Sequence, residues 1–124
     1  MRYLAAIEPW HGSQVAVYRR QGDSWRRRVI DDSLTDGHTV WTADLNGDGK
    51  DDIIAGFRGG KHGVYIYYAQ DPHGDRWSKS ILDEGGMAAA ACAAADLNAD
   101  GRIDVTCIGA ATANLKWYEN LGPR

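Results

Sequence analysis

The sequence predicts an all-β fold, a partial β-propeller of about two and a half four-stranded antiparallel blades. Three observations carry this expectation. Two loops, Asp44-Leu45-Asn46-Gly47-Asp48-Gly49-Lys50-Asp51-Asp52 and Asp96-Leu97-Asn98-Ala99-Asp100-Gly101-Arg102-Ile103-Asp104, share the pattern D-x-N-x-D-G-x-x-D and begin 52 residues apart. Trp25 and Trp77 are separated by the same 52 residues, so a supersecondary unit repeats rather than a lone motif. The intervening segments are short, alternating, rich in β-branched and aromatic residues, and flanked by glycine. Four such segments per period match a propeller blade, and closed propellers use roughly 4 to 8 of them.

The first unit, residues 3–45, starts with an apolar run from Tyr3. It continues through Val15-Ala16-Val17-Tyr18, the Trp25 to Asp32 segment and His38-Thr39-Val40-Trp41-Thr42-Ala43. The second, residues 52–97, reads as a strand over Asp52 to Phe57, a Gly-rich turn over Arg58 to Gly63 and a strand over Val64 to Gln70. A turn at Asp71-Pro72-His73-Gly74-Asp75, a strand over Trp77 to Asp83, the pair Gly85-Gly86 and a fourth strand complete it. That fourth strand includes Met87 to Ala95, whose alanines favour helix by propensity. The repeat overrides propensity here, because the equivalent His38 to Ala43 alternates as a strand does. A half unit, residues 104–121, stops after two strands. The 124 residues thus form one repeat region.

Composition is that of a folded, turn-rich chain: 44% hydrophobic, 25% charged and 15 glycines. A formal charge of -3 gives no overall case for nucleic acid, and no apolar stretch approaches membrane-spanning length, so no membrane insertion is expected. The first residues carry too short an apolar run for a secretory signal. Cys92 and Cys107 have no metal-ligand spacing and read as two buried free thiols.

The loops carry the chemistry. Side-chain oxygens at loop positions one, three, five and nine, a carbonyl at seven and glycine at six suit a hard cation. This assigns one calcium to Asp44, Asn46, Asp48, Asp52 and the Lys50 carbonyl, and a second to Asp96, Asn98, Asp100, Asp104 and the Arg102 carbonyl. An EF-hand is excluded, since its bidentate Glu at position twelve falls here on Ala55 and Cys107 and strand-like text follows. Ala99 replaces Gly47, a substitution that strains the second loop if a positive φ is needed there. Calcium loops suit an extracellular or periplasmic setting.

The Asp44 to Gly56 and Asp96 to Gly109 segments resemble the FG-GAP or VCBS repeats of calcium-binding β-propellers, including those of integrin α chains. The resemblance implies a mainly structural metal site, with each metal loop joining the outer strand of one blade to the inner strand of the next. Two and a half blades leave unpaired edges and a half-covered inner surface, so remaining blades of a longer chain, or self-association, are expected to cover them.

Positions that differ between copies are candidates for specific chemistry. Glu8, His11 and His38 are expected on the rim opposite the metal loops, with Trp10 as a stacking surface for a carbohydrate. Two imidazoles and a carboxylate suit zinc or another transition metal. Ile7-Glu8-Pro9-Trp10-His11-Gly12, Asp36-Gly37-His38 and Gly85-Gly86-Met87-Ala88 are similar to propeller segments of the aldos-2-ulose dehydratase type, which implies metal-dependent dehydration of oxidised sugars. His62 and His73 read as solvated turn residues, and the arginines at 19–20 and 26–28 as a solvated face. The leading expectation is a noncatalytic calcium-binding segment of a larger propeller or assembly. The alternative is part of a metal-dependent carbohydrate lyase, a ketosugar dehydratase in type.

Overall fold

The computed structural model describes residues 2–123, and no helix forms among them. Ten strands follow in chain order: β1 (Tyr3–Glu8), β2 (Gln14–Gln21), β3 (Ser24–Asp31), β4 (Gly37–Ala43), β5 (Asp52–Phe57), β6 (Gly63–Ala69), β7 (Trp77–Glu84), β8 (Ala89–Ala95), β9 (Asp104–Gly109) and β10 (Leu115–Tyr118). They pair antiparallel into three sheets, ordered β1-β2-β3, β4-β5-β6-β7 and β8-β9-β10. The sheets stack in sequence as a partial propeller that does not close.

Strand alternation gives the middle sheet two apolar faces, and each becomes an interface. Ile53, Ala55, Phe57 and Tyr67 pack with Val15, Val17 and Leu34 of the first sheet and its exit. Ile54, Val64 and Ile66 pack with Met87, Ala89, Cys92, Val105 and Cys107 of the third. Two small cores therefore hold three sheets, with full burial on both faces of the middle sheet only.

The alanine-rich segment forms β8, as the repeat requires. The physical reason is space. A Cβ added at Gly56 of β5 would lie 2.5 Å from the Ala89 Cβ and 2.7 Å from Thr39 Cγ2, so β4, β5 and β8 meet where only small groups fit. Thr39 Oγ1 also accepts the Cys92 amide at 3.0 Å, crossing from one sheet to the next.

Two expectations need correction. The sheets begin one strand earlier than the repeat units: β4, assigned above to the unit 3–45, opens the middle sheet, and β8, assigned to 52–97, opens the third. A repeat fixes a period but not an origin. The two D-x-N-x-D-G-x-x-D loops are consequently connections inside a sheet, β4 to β5 and β8 to β9, rather than joints between blades. Cys92 and Cys107 are not free thiols; they form a disulfide. Register places them directly opposite one another on β8 and β9, with Cα atoms 4.2 Å apart, just under the separation bridges usually span.

Candidate functional site

Both D-x-N-x-D-G-x-x-D loops are built on a common hydrogen-bonded frame, to which the first adds one amide. In the first, Asp44 Oδ1 accepts the amides of Gly47 and Asp48 at 2.9 and 3.1 Å, and Oδ2 accepts Gly49 at 2.8 Å. In the second, Asp96 accepts Asp100 and Gly101 at 3.1 and 2.8 Å. The loops turn sharply at their fourth and sixth positions, with φ of 74° and 83° at Gly47 and Gly49, and 59° and 86° at Ala99 and Gly101. Ala99 therefore takes the left-handed conformation that favours glycine.

The ninth positions, Asp52 and Asp104, are fully buried. Asp52 accepts the Leu45 amide at 2.9 Å and the Ala69 amide at 3.0 Å, one on each oxygen. Asp104 accepts Leu97 at 3.1 Å and Asn120 at 2.7 Å in the same manner. Each of these carboxylates ties the start of its loop to the strand pair beyond it. Burial pushes the Asp52 carboxyl up against the pull of its two amides, and Asp48 and Asp44 add to the rise. The Asn120 amide leads in holding Asp104 low, with Leu97 adding to it against burial.

The remaining donors are on the surface. Asp48 accepts the Lys50 amide at 2.9 Å and pairs with Lys50 Nζ at 3.2 Å, and the Lys50 amide is the chief cause of its lowered pKa. Asp100 accepts the Arg102 amide at 2.9 Å and faces its guanidinium at 3.6 Å. Asn46 Oδ1 accepts the Asp48 amide at 3.3 Å, whereas Asn98 Nδ2 donates to Glu119 at 3.0 Å. Among the described residues, no three His, Cys, Asp or Glu side chains are gathered as a metal-holding group. The donor set is all hard oxygen, and an ionised carboxylate has about four lone-pair sites. Asp44, with three amides, has one such site left.

At the opposite rim, the turn after β1 and the segment entering β4 are joined by a Gly37 amide to Gly12 carbonyl bond of 2.9 Å. This brings His11 and His38 together as stacked rings with centroids 5.1 Å apart, and Trp10, 83% exposed, lies 4.4 Å from His11. The His38 Nδ1–H donates to the Ala90 carbonyl at 2.5 Å, which leaves Nε2 as the acceptor. Glu8 does not join them. Its carboxylate accepts the Tyr18 hydroxyl and, at 2.8 Å, Arg27 Nε; Tyr18 is the leading cause of its lowered pKa. The acid nearest the imidazoles is Asp36, 3.8 Å from His11 Nδ1, with Arg58 at 3.5 Å on its other oxygen. Its Oδ1 is buried without a hydrogen-bond partner.

Sequence reasoning missed Asp36, Tyr18, Arg27 and Asn120. Asn120 is the most informative, since its side-chain amide donates to the carbonyls of Leu45 at 2.7 Å and Ile103 at 3.0 Å and so fastens one Asp-rich loop to the other. Its position matches Ala69 in the previous sheet, whose amide also closes a ninth-position Asp. No side-chain similarity could have signalled the match.

Comparison with known families agrees with this geometry. The FG-GAP-like repeat matches residues 44–107, which run from the first Asp-rich loop through β9 nearly to its end. The chain belongs to the FG-GAP-like repeat family. It is also similar to an aldos-2-ulose dehydratase of Phanerodontia chrysosporium, 27% identical over 128 residues. That match covers 86% of this chain but only 14% of the relative. As a segment of an FG-GAP-like propeller, the chain has sheet faces of the kind that pair with further blades.

Proposed function

We propose that the chain is a calcium-binding segment of a β-propeller whose metal loops brace the blades within a larger propeller or assembly. One observation carries the reading. The two loops share left-handed fourth and sixth positions, fifth- and sixth-position amides on the first Asp and a second-position amide on the ninth Asp, although only part of their sequence is shared. A polar turn needs neither this conserved frame nor repeated oxygen donors. Calcium would be held by Asp44, Asn46, Asp48, Asp52 and the Lys50 carbonyl in one loop. Asp96, Asn98, Asp100, Asp104 and the Arg102 carbonyl would hold it in the other. Binding requires Asp48 and Asp100 to leave their lysine and arginine partners and turn inward. The ion supplies no reaction; it neutralises the clustered carboxylates and stiffens the connection.

A second reading is favoured by the stacked His11 and His38, the oriented His38 tautomer and the exposed Trp10. This rim, together with the named dehydratase relative, supports a part in a metal-dependent carbohydrate lyase. The imidazoles would take zinc or another transition metal, and Trp10 would stack on a sugar. Asp36 is better placed than Glu8 as their acid.

One calorimetric series separates the two. After chelation, calcium should titrate two sites, with Asp48→Ala and Asp100→Ala each removing one and His11→Ala with His38→Ala removing neither. No heat and no thermal shift with calcium would dismiss the first reading. Zinc binding that survives the double histidine change would dismiss the second.

A further inference from the structure

The register of the sheets reveals a repeated latch. Tyr67 of β6 lies directly across from Lys79 of β7. Both reach Asp31 at the end of β3 in the preceding sheet: the Tyr67 hydroxyl donates at 2.6 Å and Lys79 Nζ stands at 2.8 Å. One sheet later, Tyr118 and Lys116 of β10 hold Asp83 of β7 at 2.5 and 2.8 Å. Each Asp also accepts an amide from the turn that follows it, Ser33 at 2.9 Å and Gly86 at 2.8 Å. An aspartate ending one sheet's last strand is thus gripped by a tyrosine and a cation of the next sheet.

Tyr18 holds the same place in the first sheet. It lies across from Arg27 as Tyr67 does from Lys79, on the face opposite Val15 and Val17, which pack on the middle sheet. No sheet precedes it among the described residues. Tyr18 and Arg27 instead grip the chain's own Glu8, a carboxylate in the position where the other two sheets hold a neighbour's aspartate. The apolar residues around this pair also have more deeply buried counterparts one sheet later. Leu4 pairs with Tyr18 as Ile53 pairs with Tyr67, yet Leu4 is 57% exposed and Ile53 0%. Trp25, the counterpart of Trp77, is 51% exposed.

We propose that this face docks the last strand of a further blade of the same repeat, one that ends in an aspartate able to displace Glu8 from Tyr18 and Arg27. The proposal rests on reading the chain as propeller blades, and it names the partner's chemistry. The charge at Arg27 and the tyrosine hydroxyl select a carboxylate, and Leu4 and Trp25 select the apolar strand before it. A second copy of this chain is the poorer partner, because its Asp31 and Asp83 are both already held.

The test is an extended chain in which residues 37–103 are repeated ahead of Tyr3, so that an additional Asp83 falls opposite Tyr18. In hydroxyl-radical footprinting, Leu4 and Trp25 should fall from their reactivity in the 124-residue chain to that of Ile53 and Trp77. Tyr18→Phe should lower the melting temperature of the extended chain by about 3 °C, an effect that vanishes when the added aspartate is replaced by Asn. Unchanged reactivity of Leu4 and Trp25, or a Tyr18→Phe effect independent of the added aspartate, overturns the proposal. So does a dimer of the unextended chain in sedimentation that Leu4→Arg dissociates, since the face would then serve self-association. If the extended chain does not melt cooperatively, a peptide copying residues 63–86 decides on the unextended chain. Protection of Leu4 and Trp25 by this peptide but not by its Asp83→Asn form supports docking, and protection by neither overturns it. Calcium titration of the extended chain is separate: protection without calcium heat would sink the metal reading alone.

Discussion

Ala99 is the residue at which the two loops part. Its φ of 59° sits in the left-handed region that Gly47 occupies at 74°, and a Cβ at Gly47 would meet nothing within 4 Å, so the cost of a side chain there is backbone strain rather than collision. An L-residue held there loses on the order of 1 kcal/mol relative to glycine, partly offset by the greater freedom of glycine in the unfolded chain. Ala99→Gly should therefore stabilise the protein by up to about 1 kcal/mol in urea unfolding, and Gly47→Ala should cost a similar amount. If the two changes moved stability in the same direction, the matched geometry of the loops would be wrong. The neighbouring donors explain why the loops were readable at all. Their pattern combines side-chain oxygens with glycine at fixed offsets, and each class has a distinct physical task. What the pattern did not reveal is that Asp52 and Asp104 are fully buried and already accept two amides each.

Strand by strand, the middle sheet was legible almost to the residue, because β5, β6 and β7 are short runs rich in β-branched and aromatic residues or opened by tryptophan, and are separated by glycine and proline turns. The phase of the sheets was not, since a repeat of four strands reads identically from any starting strand and hydrogen bonding alone assigns β4 to β5. The disulfide was hidden for a related reason. Cys92 and Cys107 are 15 residues apart with no motif between them, and only the pairing of β8 with β9 makes them neighbours. A bridge closing a loop of that size contributes about 3 kcal/mol by restricting the unfolded chain. Cys92→Ala with Cys107→Ala should cost about that much in denaturant unfolding, and a reductant should destabilise the parent but not the double variant. Equal stability of both proteins with and without reductant would refute the bridge. Glu8 shows the same limit at the rim: sequence placed it near His11, while β2 and β3 supply the tyrosine and arginine that take it.

Across the whole molecule, three sheets are held by two interfaces, and both outer faces of the stack are less complete than the middle. The third sheet has three strands, and beside β10 a groove of about 900 Å³ runs over Ile66, Tyr68 and Leu82 of the middle sheet to Val105 and Tyr118. With cores this small, the Asp latches, Asp31 part-buried and Asp83 buried, weigh heavily in holding sheet to sheet, and they make cohesion depend on pH. Burial pushes the Asp31 carboxyl up, but Lys79, Tyr67 and Ser33 outweigh it and bring it from 3.8 down to about 2. Asp83 is lowered in the same way, with burial opposed by Lys116, Tyr118 and the Gly86 amide. A carboxyl that binds its proton more weakly in the folded state stabilises that state above its unfolded pKa. For Asp31 the contribution is full above about pH 4 and is lost as the pH falls through about 2, a change on the order of 2 kcal/mol. The melting temperature should accordingly drop by about 8 °C across that window through Asp31 alone. Asp31→Asn should begin lower at neutral pH and fall less steeply on acidification, because the group that titrates is gone. Parallel acid profiles for the parent and Asp31→Asn would show that the latch does not hold the first sheet to the second.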